Sequence, residues 1–231
     1  MKLAIMQPYL FPYIGYFQLI NAVDVFVVYD NIKYTKKGWI NRNRFLQNGQ
    51  DAVFSLSLKK DSDSLDVRDR SIAPDFNKGK LVNQIREAYR KAPCFEGAFA
   101  LFERVMLNEE TNLFKYIHHS ITETCAYLGI RTEIVVSSTI DTDHSLQAQD
   151  KVLAICKSVG TDVYVNAIGG QELYSKEAFS GCGIELKFIK TMPIEYRQFN
   201  HDFVPWLSII DVMMFNSKER VMELLGQYEL I

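Results

Sequence analysis

The chain is poor in the residues that usually announce metal or redox chemistry, and those it has are scattered. Its four cysteines, Cys94, Cys125, Cys156 and Cys182, lie far apart with no CxxC pair, which argues against a zinc site and a disulfide framework. Two of its four histidines are the adjacent pair His118–His119, in a helical stretch where neighbours face different ways and so do not chelate one metal. No GxSxG, Walker A, GxGxxG or HExxH signature is present. No apolar run approaches the length that spans a bilayer. A net charge of -2 removes any bulk field for nucleic acid or anionic lipid. The start, MKLAIMQPYLF, opens like a signal peptide, but Gln7, Pro8 and Pro12 break the apolar stretch too early. A buried first strand is the expectation, and with it a cytoplasmic protein with no nucleic-acid partner and no membrane span. No internal repeat and no Pro/Gly-rich linker divides the chain, so one α/β domain over 1–231 is expected.

What is present is core material: 48% of the 231 residues are hydrophobic. Lys2 to Met6 reads as a short strand, and a helix follows from about Tyr13 to Asn21. VDVFVVY, from Val23 to Tyr29, is a β-branched and aromatic run suited to a strand buried on both faces. Together they make a right-handed βαβ unit. Asn48-Gly49 between Arg44–Leu46 and Ala52–Leu58 marks a hairpin. Helices are expected at about Lys78–Arg90, Phe95–Leu107 and Leu113–Leu128. Strand and helix then alternate: strand at Thr132–Ser137, helix at Ser145–Val159, strand at Asp162–Asn166, helix at Glu172–Phe179, strand at Ile184–Ile189. Helix is expected from Leu207 onward. The pattern predicts a Rossmann-like, mostly parallel sheet with a helical insert at about 75–130.

Open sheets of this kind bind ligands outside the carboxyl ends of their strands, where three loops are expected. In the first, QPYLFPYIGYFQLI, Pro8 and Pro12 stiffen the backbone. Gly15, where the helix opens, admits close approach by a ligand or another backbone, and the helix N-terminus suits phosphate or carboxylate. Gln7, Tyr13 and Tyr16 bring polar ends that need partners if buried. The PYIGY spacing is similar to the HxGH-type motif of nucleotidylyltransferases and class I synthetases, which suggests a HUP/nucleotidyltransferase-like architecture. Tyr13 and Tyr16 stand in place of the histidines, and a phenol does not act as an imidazolium.

The second loop, YDNIKYTKKGWINRNR, gathers Lys33, Lys36, Lys37 and Arg42 with Trp39, Asn41 and Asn43, and Arg44 follows. Cations beside a helix N-terminus make an anion clamp, and Trp39 offers a face for a base or sugar. Asp30, ending the strand, is placed to orient a lysine or receive a proton. The third loop, NAIGGQELY, puts Gly169-Gly170 after Asn166 and before Tyr174, the composition of a phosphate or carboxylate nest. His201, beside Asp202 in FNHDF, is the candidate acid/base residue after the first loops. Asp30 and His201 are thus the candidate catalytic residues, and the loop residues the candidate substrate contacts.

The blocks QPYLFPYIGYFQLI, YD and KKGWINRNR closely resemble the start of the WbqC-like proteins. GG-x-x-LY and PWLSIIDVMMFNS look like the remaining family blocks, except that Trp206 stands where an Asn is expected before Leu-Ser. The resemblance runs over essentially the whole chain. It implies a transferase of O-antigen or surface-polysaccharide biosynthesis, moving an acyl or aminoacyl group to the amine of a nucleotide-linked amino sugar. The partners it implies are the nucleotide-linked sugar and a small acyl or aminoacyl donor; cofactor and oligomeric state stay open. Two alternatives stand beside it: an ATP-dependent ligase or nucleotidylyltransferase, and a non-catalytic nucleotide-sugar-binding protein.

Overall fold

A computed structural model describes all 231 residues. The strands are β1 (Lys2–Met6), β2 (Val25–Val28), β3 (Arg42–Gln47), β4 (Gln50–Ser55), β5 (Glu133–Val136), β6 (Val163–Ala167), β7 (Glu185–Thr191) and β8 (Tyr228–Leu230). The helices are α1 (Ile14–Asn21), α2 (Lys78–Tyr89), α3 (Phe95–Met106), α4 (Leu113–Leu128), α5 (Ala148–Val159), α6 (Lys176–Ser180), α7 (Ile209–Phe215) and α8 (Lys218–Leu225).

Six strands form one sheet in the order β5-β2-β1-β6-β7-β8, while β3 and β4 make a separate antiparallel hairpin. The first five of the six run parallel and β8 runs antiparallel on the edge. Counted along the chain, the sheet strands stand in the order 3-2-1-4-5-6. This is the doubly wound arrangement whose direction of winding reverses between β1 and β6.

Alternate side chains of each strand explain why both faces are covered. Ala4, Phe26, Val28 and Val165 point into a core shared with α1, the three middle helices, α7 and α8. Leu3, Ile5, Val25, Val27 and Tyr164 point the other way, against Val152 and Ile155 of α5 and Phe179 of α6. A strand such as VFVV is buried at all four positions because neither face meets water. Gln18 ties α1 to the end of α8 within one layer, donating from a fully buried amide to Leu224 O at 2.8 Å and Gln227 O at 3.0 Å.

Two expectations are corrected. The segment expected as one helix over Glu172–Phe179 is a 3₁₀ turn, Ile168–Leu173, and then the short α6, which Ser175 caps by accepting from Ala178 N. The expected helical C-terminus ends at Leu225, and Tyr228–Leu230 returns to pair with β7. Its partner strand is distant in sequence, so no local pattern marks it.

Candidate functional site

Pro8 and Pro12 set only part of the first loop's shape; side chains from two other segments hold the rest. Phe11 is fully buried in the left-handed region, at φ 41°, a costly conformation for a bulky residue. Asn43 Nδ2 donates to Leu10 O at 3.0 Å and Phe11 O at 2.8 Å, and Ser208 Oγ donates to the same Phe11 carbonyl at 2.7 Å. Leu10 N and Ile209 N close the frame on Ile40 O and Pro12 O. Asn43, expected to touch substrate, is 5% exposed and holds this loop. No local feature of the sequence gives Ser208 this role, because its partner lies 197 residues away.

The two tyrosines of PYIGY part company. Tyr16 is 3% exposed and turned inward, its hydroxyl donating to Gln7 O at 2.9 Å, and burial pushes its phenol well above the usual range. Tyr13 is half-buried, its ring laid back over Gly15, where a Cβ would come within 2.6 Å of the phenol oxygen. The space kept free by Gly15 is therefore taken by Tyr13 itself. Burial raises the Tyr13 phenol, and a hydrogen bond with Thr191 at the end of β7 works against that rise. Gln7 accepts a hydrogen bond from Tyr9 at 3.2 Å.

The cations of the second loop do not converge on one point. Arg42 turns back, its Nε and Nη2 donating to Gly38 O and Lys37 O at 3.0 and 2.5 Å, so it braces the loop. Lys36 pairs with Asp63 at 2.8 Å on the surface, and Lys33 and Lys37 are exposed. Asn41 accepts from Tyr34 Oη and donates to Leu56 O, both at 2.8 Å, joining loop to hairpin. Arg42 and Arg44 both lie against Trp39, at 5.4 and 5.6 Å from the ring centre.

A groove opens between this loop and the long segment after β7. On one side lies a hollow of about 280 Å³ bounded by Tyr9, Pro12 and Tyr13 below, Trp39 and Arg44 on one flank and Trp206 on the other. Trp39 and Trp206 are 39% and 63% exposed, high for indoles. Trp206 sits at φ 61°, and Arg44 holds its carbonyl at 3.0 Å. Arg44 Nε is buried without a partner. On the other side of Tyr13 and Trp206 lies a second hollow of about 630 Å³, walled by Ile194, Tyr196, Phe203, Leu207 and Val212. The Tyr13 and Trp206 rings, 6.0 Å apart and tilted by 59°, form the partition between the two. Arg44 and Trp206 lie within the family-like blocks, but nothing local in the sequence turns them toward a shared groove, and Thr191 carries no motif.

Neither candidate proton-handling residue borders these hollows. Asp30 is 4% exposed, and its carboxylate accepts from Ser137 Oγ at 2.8 Å, Ser138 N at 3.0 Å and Ser138 Oγ at 2.6 Å. Burial alone would raise its pKa, but these bonds outweigh it and hold the carboxyl below its usual range. Its bonds tie the end of β2 to the end of β5. His201 lies on the hairpin tip, where a Cβ on Gly49 would meet its ring at 2.8 Å. In the third loop, Asn166 is 6% exposed and accepts from Ala167 N at 2.7 Å, and Gly170 lies tight beneath its amide. Tyr174 packs edge-on against Tyr164 and Phe179, while Gly169 faces open space.

Comparison with known proteins adds a family. The model of the WbqC-like protein family matches residues 7–223. A relative, an uncharacterized protein of Mycobacterium tuberculosis, is 26% identical over 219 residues, covering 93% of each chain. No solved structure matches. The family match takes in the stapled first loop, the Trp39–Arg44 stretch and the Trp206–Ser208 turn, so the chain belongs to the WbqC-like protein family.

Proposed function

We propose that this protein is a transferase acting on a nucleotide-linked sugar, held in the groove between Trp39 and Trp206. The observation that carries the reading is the pairing of two exposed indoles with the Arg44 guanidinium at the carboxyl edge of a doubly wound sheet. Indole faces stack on planar bases and on sugar rings, and a guanidinium supplies the forked donors that phosphate accepts. Lys37, exposed on the same loop, adds a second positive charge near the Trp39 end. In support, the loop after β1 that borders the groove leaves the carboxyl edge of the sheet beside the strand where the winding reverses.

A nucleotide-linked amino sugar fits with its base on Trp39, its diphosphate by Arg44 and its sugar toward Trp206. Transfer of an acyl or aminoacyl group to the sugar amine then forms a C–N bond as the donor's acyl bond breaks, the amine losing one proton. Family membership supports a place in O-antigen or surface-polysaccharide assembly. The ATP-using alternative gains nothing from the first loop, where Tyr13 covers the backbone that a phosphate would approach and Tyr16 is buried.

Calorimetry against a panel of UDP- and dTDP-linked amino sugars tests the reading. Binding is expected in the wild type, and Arg44→Ala and Trp39→Ala each weaken it at least tenfold. No binding by any of the panel overturns it.

A further inference from the structure

The two hollows that share the Tyr13–Trp206 wall are opposite in charge. Arg44 is the one charged residue bordering the smaller hollow, and its Nη1 also lies 3.4 Å from Asp51 Oδ2 on the hairpin. The larger, of about 630 Å³, is bordered by no lysine, arginine or histidine but by two carboxylates, Glu195 and Asp202. Neither carboxylate has an ion-pair or hydrogen-bond partner: both are missing from the salt bridges and side-chain hydrogen bonds of the fold. Between them, the walls are apolar and aromatic, chiefly Ile194, Phe203, Pro205 and Leu207. The volume suits a ligand of drug-like size. An apolar cavity with two unpaired carboxylates favours a ligand with an apolar body and a cationic end, because the ammonium gains from the charges while the body leaves water.

The segment that builds this hollow is fixed rather than loose. Gln198 accepts from Val204 N at 2.7 Å and donates to Val204 O at 3.1 Å, pinching the chain into a closed turn. Tyr196 Oη and Gln198 Nε2 both donate to the buried Asp211 at 2.7 Å. Glu195 and Asp202 thus project from a turn anchored on α7.

We infer that the larger hollow is a second substrate subsite, for an organic amine with an apolar body, separated from the anionic ligand's hollow by Tyr13 and Trp206. This deepens the transferase reading, on which it rests for the identity of the neighbouring ligand. The nucleotide-linked sugar then offers its amine from one side of the partition, and an aminoacyl donor, its own ammonium held by Glu195 and Asp202, offers its acyl carbon from the other.

The test uses simple probes on the intact protein without any nucleotide sugar. Phenethylamine and 3-phenylpropionate, similar in body and opposite in charge, are titrated by calorimetry and by tryptophan fluorescence. The amine is expected to bind and to perturb Trp206, with the carboxylate at least tenfold weaker. Glu195→Gln with Asp202→Asn, two exposed positions, abolishes the preference. Equal binding of both probes, no binding of the amine, or an undiminished preference in the double variant overturns the inference. Amine binding that persists where every nucleotide sugar fails would overturn the nucleotide-sugar reading and leave the amine subsite standing; the reverse pattern would do the opposite.

Discussion

The ring of Tyr13 lies across the backbone of Gly15, so close that a methyl group on Gly15 would fall within 2.6 Å of the phenol oxygen. The glycine at the head of α1 therefore serves the partition of the groove: it lets Tyr13 lean back and face Trp206.

Gly15→Ala is expected to displace the ring more than to break the helix, since the clash is with the far end of a rotatable side chain. Alanine also favours helix over glycine by about 1 kcal/mol, which offsets part of any strain. Urea unfolding should shift by less than about 1.5 kcal/mol. Tryptophan emission should change at once, because Trp206 loses its ring neighbour. Gly169→Ala, into open space, is the control and should leave emission unaltered.

Asn43→Ala removes the amide that satisfies Leu10 O and Phe11 O. Leaving a buried carbonyl unpaired costs roughly 1–3 kcal/mol, and Ser208 still serves Phe11 O. A loss of about 2–3 kcal/mol by denaturant titration is expected, with ligand binding lost as the loop relaxes. A neutral Asn43→Ala would mean that the prolines alone fix the loop.

Asp30 and Asp211 are expected to pull stability in opposite directions with pH. Asp211 is fully buried, and desolvation pushes its carboxyl up to about 6, although Tyr196, Tyr89 and Gln198 donate to it. An unfolded aspartate titrates near about 3.9. The native state thus binds more protons between these values, so this contribution is full below about pH 4 and is lost as pH rises through about 6. Asp30 is held below its usual value, so its contribution is present above about pH 4 and is lost as pH falls below that. Asp211→Asn should flatten the stability profile between about pH 4 and 6 and leave the acid limb. Asp30→Asn should flatten the acid limb and leave the other. Identical profiles for wild type and Asp211→Asn would show that the buried carboxyl does not titrate there.

Asp30→Ala is further expected to destabilise the fold by about 3 kcal/mol or more, because Ser137, Ser138 and the Ser138 amide lose one shared acceptor. If Asp30 instead took a proton during turnover, Asp30→Asn would fold normally and lose activity alone. Thermal unfolding of the two variants separates the roles.

Most of the sheet was legible because both faces are buried, and continuous runs such as VFVV and KLAIM carry that fact locally. The Asn48-Gly49 turn was equally plain, both residues taking positive φ. What escaped depends on contacts between distant residues. Tyr228–Leu230 is a strand only because β7 lies beside it. The groove needs the 192–207 segment folded back on the first loop, through Ser208 and Arg44. Residue type located the first two loops, but direction did not follow from it: Tyr16, Asn43 and Asp30 turn into the fold, and Arg42 folds back on its own loop.

The most direct test of the account is calorimetric titration of UDP- and dTDP-linked amino sugars into wild type, Arg44→Ala and Trp206→Ala. Saturable binding to the wild type is expected, weakened at least tenfold in each variant while unfolding stays cooperative. Binding unaltered in both variants, or none in the wild type, would contradict it.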